Sequence, residues 1–353
     1  MLTKDEMEFN PSCPIPKSDY DKILLAHGGG GTLSHQLLNK LIFPQFQNEI
    51  LNEHIDSAVF KIENKKFAFT TDSYVVQPPF FPGGDIGVLS INGTINDLAV
   101  SGADPLYVSV SFIIEEGFQL EDFWRIILSM KKASEKAGVK IVTGDTKVVD
   151  RGKGDKIFIN TSGIGLVQEG VGISPKKCRP GDLIIINGKI GEHGIAVLSE
   201  REGLEFSTNI KSDTAPLNKL VKNMLTVAKE IHCMRDPTRG GVSSSLNEIA
   251  QEGHIGLLIE EDNIPISEEV KGACEILGFD PLYIANEGKL IAIVSASEAE
   301  KLLYEMKKNE LGEESRIIGR VTEENAGSVV LKTKIGTKRI VDMHSGELLP
   351  RIC

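Results

Sequence analysis

Five aspartates stand where a carboxylate can do chemistry: Asp72 in TTDSYV, Asp85 in GGDIG, Asp97 in TINDLAV, Asp145 in TGDTK and Asp236 in RDPTRGG. They fall at predicted strand ends or helix starts, where a side chain can point into a crevice. Hard oxygen ligands of this kind suit Mg²⁺, which takes one or two carboxylates and completes its shell with phosphate oxygens. The plainer reading of any single one is a helix cap or a turn residue. The run HGGGG offers a second chemistry. Gly28, Gly29, Gly30 and Gly31 let backbone amides approach a phosphate, and a helix start behind them adds its dipole. A glycine run alone also serves as a mobile loop, and the chain carries no Walker A sequence. Lys147 can polarise an oxygen or contact phosphate, or be a solvated strand lysine. Glu287 in YIANEGKL can be a general base, or an ordinary turn acid. His193 in GEHG and Arg239 in TRGG either reach a ligand or order their loops. HExxH, GxSxG, paired CxxC and the kinase motif set are absent.

The chain ends LLPRIC. A terminal thiol is poor packing material and an oxidation risk, so Cys353 is either incidental or a working group. Cys13, Cys178, Cys233 and Cys274 lack metal spacing and read as free thiols. Asp85 and Asp97 are 12 residues apart. On one unbroken helix that is roughly 18 Å, too far to share a metal within one chain. If both bind it, either the helix breaks, near Gly93, or two subunits build the site.

The elements that must position these groups are legible in outline. Residues 1–20 read as a flexible leader. SAVFKIE and KFAFTTDSYVV read as strands, and GGDIGVLSINGTINDLAVSGADP as a helix in two parts ending before Pro105. YVSVSFII is a strand. LEDFWRIILSMKKASEKAG is an amphipathic helix closed by Gly138. VKIVTGDTKVVD and KIFINTSGIGLV are strands that RGKGD joins as a hairpin. The basic, proline-bearing SPKKCRPGD marks a boundary. Beyond it come LIIING, the KIGEHG loop, a long helix over APLNKLVKNMLTVAKEI, the DPTRGG loop, helices in VSSSLNEIAQEG and SEAEKLLYEMKK, and strands at IIGRV, SVVLKT and KRIVDM. The organisation read is 21–173, 174–341 and a mobile tail 342–353, with two α/β or α+β domains.

The bulk figures agree. At 353 residues the chain can hold two ordinary cores, and 41% hydrophobic with 25% charged residues is a globular composition. A net charge of -11 argues against nucleic acid or an anionic membrane as partner. A nucleotide would need a cation to bridge it to so acidic a protein. No apolar run is long enough to span a bilayer, and MLTKDEMEFNPSCPIPKSD lacks an apolar signal core, which predicts a cytoplasmic protein.

In order, HGGGG, TTDS, GGDIG, NDLAVSGADP, TGDTKV, RDPTRGG, NEGK and terminal PRIC closely resemble the HypE family of hydrogenase maturation factors, the carbamoyl dehydratases. That family is part of a larger group of ATP-using enzymes with aminoimidazole ribonucleotide synthetase and selenophosphate synthetase. The likeness runs from about residue 20 to 353. The aspartate motifs are common to the group, and PRIC separates this branch. Selenophosphate synthetases carry a Lys beside a Cys or selenocysteine near the glycine run, and HGGGG has no such Lys.

The resemblance implies two α/β domains, a homodimer built through the first, and ATP in a crevice there. It assigns Asp72, Asp85, Asp97 and Asp236 to Mg²⁺, and the glycine run, Asp72, Asp97 and Asp145 to ATP. It assigns Lys147 and Glu287 to the carbamoyl group. Cys353 would receive carbamoyl from the carbamoyltransferase HypF and be dehydrated to a thiocyanate, whose cyanide goes to iron on the HypC–HypD complex. ATP is needed because oxide is a hopeless leaving group and phosphate is a good one. From Asp342 to Cys353 the tail can extend about 40 Å, enough to cross a small domain. Two other readings stay open: a small-molecule ATP enzyme of the same group, with Cys353 incidental, and a non-catalytic nucleotide-binding scaffold.

Overall fold

The computed structural model describes residues 22–53, 55–203 and 210–343. The expected leader, the tail beyond residue 343, Cys13 and Cys353 lie outside the described residues.

The glycine run opens α1 (Thr32–Leu37), which continues through a π-type turn (Leu38–Ile42) into the short α2 (Phe43–Phe46). Then follow β1 (Ala58–Ile62), β2 (Lys65–Tyr74), a two-residue ribbon of β3 (Phe80–Phe81) and β4 (Gly84–Asp85), and α3 (Ile86–Val100). β5 (Ala103–Glu115), α4 (Leu120–Ala137), β6 (Lys140–Val149) and β7 (Ile157–Val167) complete the first half. Its sheet runs β1-β2-β7-β5-β6, antiparallel except for β5 and β6. Those two are parallel because α4 crosses between them. α3 packs on the buried face through Ile86, Leu89, Ile91 and Ile95, and α4 adds Ile126 and Met130.

The second half contains β8 (Leu183–Ile186), α5 (Glu192–Glu202), α6 (Asn218–Val227), β9 (Ile231–Arg235), α7 (Gly241–Gly253), β10 (Gly256–Glu260) and α8 (Glu268–Leu277). It ends with β11 (Ile291–Val294), α9 (Ala296–Met306), β12 (Arg316–Thr322), β13 (Val329–Lys332) and β14 (Lys338–Val341). The sheet order is β14-β13-β10-β12-β8-β11-β9. The central strands read LIII and IAIV, buried along nearly their whole length, because helices cover both faces. α7 packs on one face through Val242, Leu246 and Ile249. α6 and α9 pack on the other, and there Ala99 and Val100 of α3 join the same cluster. One helix therefore contributes to both cores.

Three expectations need correction. α3 is a single unbroken helix, so Gly93 does not divide it. Gly93 is there for close approach, since a Cβ would overlap the Tyr74 hydroxyl on β2. β6 and β7 are no hairpin: β5 lies between them, and the connection from 150 to 156 passes over its end. The long helix after Ala215 stops at Val227, and the chain turns into β9, whose IHCMR pairs with β11. Gly138 does close α4, in the left-handed conformation at φ 77°. α8 was not among the expected elements.

Candidate active site

Two elements of the first half and two loops of the second meet at one small cavity. Asp97 sits on the last turn of α3, where Thr70 Oγ1 donates to its Oδ2 at 2.8 Å. Asp72 projects from β2 and accepts from the Tyr74 hydroxyl at 3.2 Å. Asp236 follows the end of β9, and Glu287 lies on the turn before β11. These four carboxylates, with Thr238 and Arg239, line a cavity of about 40 Å³. That is room for a water or an ion rather than a nucleoside, so a nucleotide would enter only by its phosphate end.

The electrostatics are those of an anionic site that Arg235 and Arg239 offset only in part. Burial, then Asp72, Asp236 and Asp56, push the Asp97 carboxyl well above the usual carboxylate range. Burial, Asp56 and Asp72 push Asp236 up to about 8. Glu287, only 3% exposed, is raised well above its ordinary value by burial and then by Asp236, Asp213 and Asp72. Such a set holds protons when alone and releases them to a cation. Among the described residues, no three acidic, His or Cys side chains are arranged to hold a metal by themselves.

The glycine run is brought against the loop carrying Asp236. Gly30 has φ +72°, and a Cβ there would come within 2.8 Å of Arg239 Cβ. Arg239 Nη1 lies 3.4 Å from the Gly28 carbonyl oxygen. At the head of α1, Ser34 Oγ accepts from Gly30 N at 2.9 Å and donates to the His27 carbonyl at 2.9 Å. Ser34 is thus the residue that shapes the run, while Gly31 occupies the cap position of α1. Behind the site, buried Arg235 reaches Glu248 at 2.6 Å, Glu252 at 3.2 Å and Asp56 at 3.4 Å. His35 of α1 joins Glu248 at 3.0 Å. Three separate stretches of chain are held in register by that network.

Not every expected residue is in this cavity. Asp85 caps α3, accepting from Gly87 N at 2.8 Å, Val88 N at 3.0 Å and Ser129 Oγ at 2.6 Å. With α3 unbroken, Asp85 and Asp97 do not share an ion within one chain. Asp145 and Lys147 pair with each other at 2.8 Å on β6, both exposed. Across the sheet Asp72 aligns with Thr161, Thr161 with Val110 and Val110 with Gly144. Asp145 is therefore three strands from Asp72, roughly 14 Å at the usual strand spacing. It aligns with Ser111, so it faces the side of the sheet opposite to buried Val110. Lys147 and Glu287 are accordingly not neighbours in one chain. His193 is fully buried and bonds Ser212 Oγ at 2.8 Å, ordering its loop.

Sequence reasoning missed Asp56, whose charge acts on Asp97 and Asp236 alike, and Arg235, the counter-charge behind them. The adjacent RD in RDPTRGG was a signal for Arg235. Asp56 carries no local pattern. The remaining cysteines of the described chain, Cys178, Cys233 and Cys274, are buried and unbridged.

A glycine loop and converging aspartates at the seam of two α/β halves define a class. Residues 54–167 match the family model described as AIR synthase related protein, N-terminal domain, and residues 179–332 match that of the C-terminal domain. The carbamoyl dehydratase HypE of Cupriavidus necator is 51% identical over 333 residues, spanning 94% of this chain and 95% of that one. A crystal structure of the hydrogenase maturation protein HypE in complex with ATP superposes with a TM-score of 0.80 at 45% identity, over 94% of this chain and 100% of that one. HypE in a crystallised HypE–HypF complex gives 0.84 at 47% identity, over 87% and 99%. The chain belongs to the HypE family of carbamoyl dehydratases. Among the described residues no helix is long and apolar enough to cross a membrane.

Proposed function

We propose that this chain is the ATP-dependent carbamoyl dehydratase of hydrogenase maturation, and that its substrate is the S-carbamoyl group on its own Cys353. The observation that carries the reading is the meeting of Asp72, Asp97, Asp236 and Glu287 at one cavity under the glycine loop. The root of the tail supports it further. The Asp342 carbonyl accepts at 2.8 Å from Ser243 Oγ, on the first turn of α7 just past the Asp236 loop, and at 3.0 Å from the Tyr283 hydroxyl, in the turn over 281–283. A tether rooted there makes the reacting group intramolecular, with an effective concentration in roughly the mM range.

In the first step the carbamoyl oxygen forms a bond to the γ-phosphorus of ATP as the bond to ADP breaks. The C–O bond then breaks, the oxygen leaving in phosphate, while the nitrogen gives up both protons and a C≡N bond forms. Glycines 28–31 face the phosphate chain. Asp72, Asp97 and Asp236 are the residues that would hold Mg²⁺, which supplies charge neutralisation for the phosphates when bound. Glu287, whose own proton a bound cation would displace from the crowded set, takes one proton from the nitrogen, and the second leaves with the phosphate. The work of the site is placement and charge stabilisation rather than covalent chemistry by the protein.

Asp85, Asp145 and Lys147 enter through a second copy of the chain. Edge strand β6 leaves Ile141, Val142 and Val148 exposed, beside a groove of about 850 Å³ against α4. An open edge of that kind is a template for pairing, which favours a homodimer through the first half. Lys147 then stabilises charge on the carbamoyl oxygen in the neighbouring site. HypF, with which a relative's HypE forms a crystallised complex, is the partner proposed to donate the carbamoyl group, and the HypC–HypD complex the one proposed to take the cyanide. The compartment is the cytoplasm, in keeping with the unbridged cysteines.

Mass spectrometry of the C-terminal peptide tests the reading. After carbamoylation, Mg-ATP should remove the mass of one water from the Cys353 peptide, and Glu287→Gln should leave it carbamoylated. A chain ending at Ile352 that still turns over ATP on a diffusible amide would refute it in favour of a small-molecule enzyme.

A further inference from the structure

The Glu287 peptide is gripped from both sides. Its N–H donates to Asp213 Oδ1 at 3.1 Å, and its carbonyl accepts from Asn96 Nδ2 at 3.1 Å. Asp213 lies outside the cavity, with its side chain 2% exposed and Lys289 Nζ 2.9 Å from its other oxygen. Lys289 is also 3.9 Å from Glu192 at the head of α5. Gly288 packs so closely that a Cβ would overlap the Asp213 carbonyl. The segment bearing Asp213 is in turn sewn to α3. Asn96 Oδ1 accepts from Leu217 N at 2.8 Å, its Nδ2 donates to the Ala215 carbonyl at 3.1 Å, and Asn92 Nδ2 donates to Thr214 Oγ1 at 3.2 Å. Asn96 directly precedes Asp97, so the same helix turn serves the carboxylate cavity and the Glu287 turn.

A buried ion pair gives little net stability compared with an apolar pair of the same size. The Asp213–Lys289 pair lies outside the cavity and is largely buried, with the Lys289 side chain 11% exposed, yet one of its carboxylate oxygens is spent on the Glu287 amide. We propose that Asp213, backed by Lys289, is a positioning residue that holds Glu287 over the cavity. It acts through the Glu287 N–H and contacts no substrate. The inference rests on Glu287 being the base of the proposed reaction.

The test uses the full chain carbamoylated on Cys353, with single-turnover dehydration followed by mass spectrometry and nucleotide binding measured in parallel. Asp213→Ala removes the acceptor, and Asp213→Asn keeps an oxygen facing the amide. Asp213→Ala should slow the chemical step about 10²-fold, the effect of a displacement near 1 Å, and leave nucleotide affinity unchanged. Asp213→Asn should recover most of that loss. In a Glu287→Gln background, Asp213→Ala should add nothing to the defect, because the residue it acts through is already disabled. Should the alanine variant fail to fold, Lys289→Met loosens the same carboxylate and should show the same dependence on Glu287. An Asp213→Ala rate equal to wild type beside an inactive Glu287→Gln overturns this inference alone, as does a further full-sized loss in the double variant. A wild-type rate for Glu287→Gln overturns the base assignment and this inference with it.

Discussion

Replacing Asp236 by Asn should stabilise the ligand-free protein above neutral pH. Burial, with Asp56 and Asp72 nearby, raises this carboxyl from 3.8 to about 8. Between those values the unfolded chain has released the proton and the folded chain still holds it. Folding stability therefore falls as pH rises through this window, by about 1.36 kcal/mol per pH unit, and levels off above it. At pH 7 the accumulated loss is roughly 4 kcal/mol. Asp97 and Glu287 titrate against the same charge, so the loss belongs to the set, and the amide relieves its neighbours too. Thermal unfolding from pH 5 to 8.5, in EDTA without nucleotide, measures it. The wild-type midpoint should drop with pH, and the Asn variant should drop less and stand several degrees higher at pH 8. Mg-ATP should raise the wild type and leave the variant nearly unmoved. Equal pH slopes, or a variant less stable at pH 8 in EDTA, would refute the account of the cavity as a cation site with an excess of buried negative charge.

Arg235→Ala strands Asp56, Glu248 and Glu252 without their shared counter-charge, and should destabilise by roughly 3–5 kcal/mol in denaturant melts. The defect should shrink on acidification, since burial already raises Glu252 to about 7 and protonation there removes the repulsion. Gly93→Ala drives a methyl into the Tyr74 hydroxyl that bonds Asp72. It should cost about 1–3 kcal/mol in stability and weaken Mg-nucleotide binding by calorimetry, and an unchanged affinity would separate Tyr74 from the site.

Much of the cavity was legible because its residues announce themselves locally. Asp72 ends an alternating strand, Asp236 opens a Pro-Gly loop, and Glu287 sits in a turn before an apolar run. What escaped was everything set by pairing at long range. The parity of β6 decides which face Asp145 and Lys147 occupy, and that depends on a register with β5 that no local pattern carries. The short RGKGD connection reads as a hairpin, although the strand it passes over lies some 40 residues earlier. Asp213, Lys289 and Asp56 are single charges whose partners are distant in sequence, so burial alone gives them meaning. Gly93 looked like a helix breaker because its neighbour, Tyr74, comes from another element.

α3 is the spindle on which both sheets are mounted: Leu89 and Ile95 belong to one core, Ala99 and Val100 to the other. The halves are thus poor candidates for independent modules. Cleaving the backbone between β7 and β8 should not yield two separable pieces, because either fragment alone would expose an apolar surface that its mate was built to cover. Heat should melt them in one transition, and a damaged residue in either half will be felt in both.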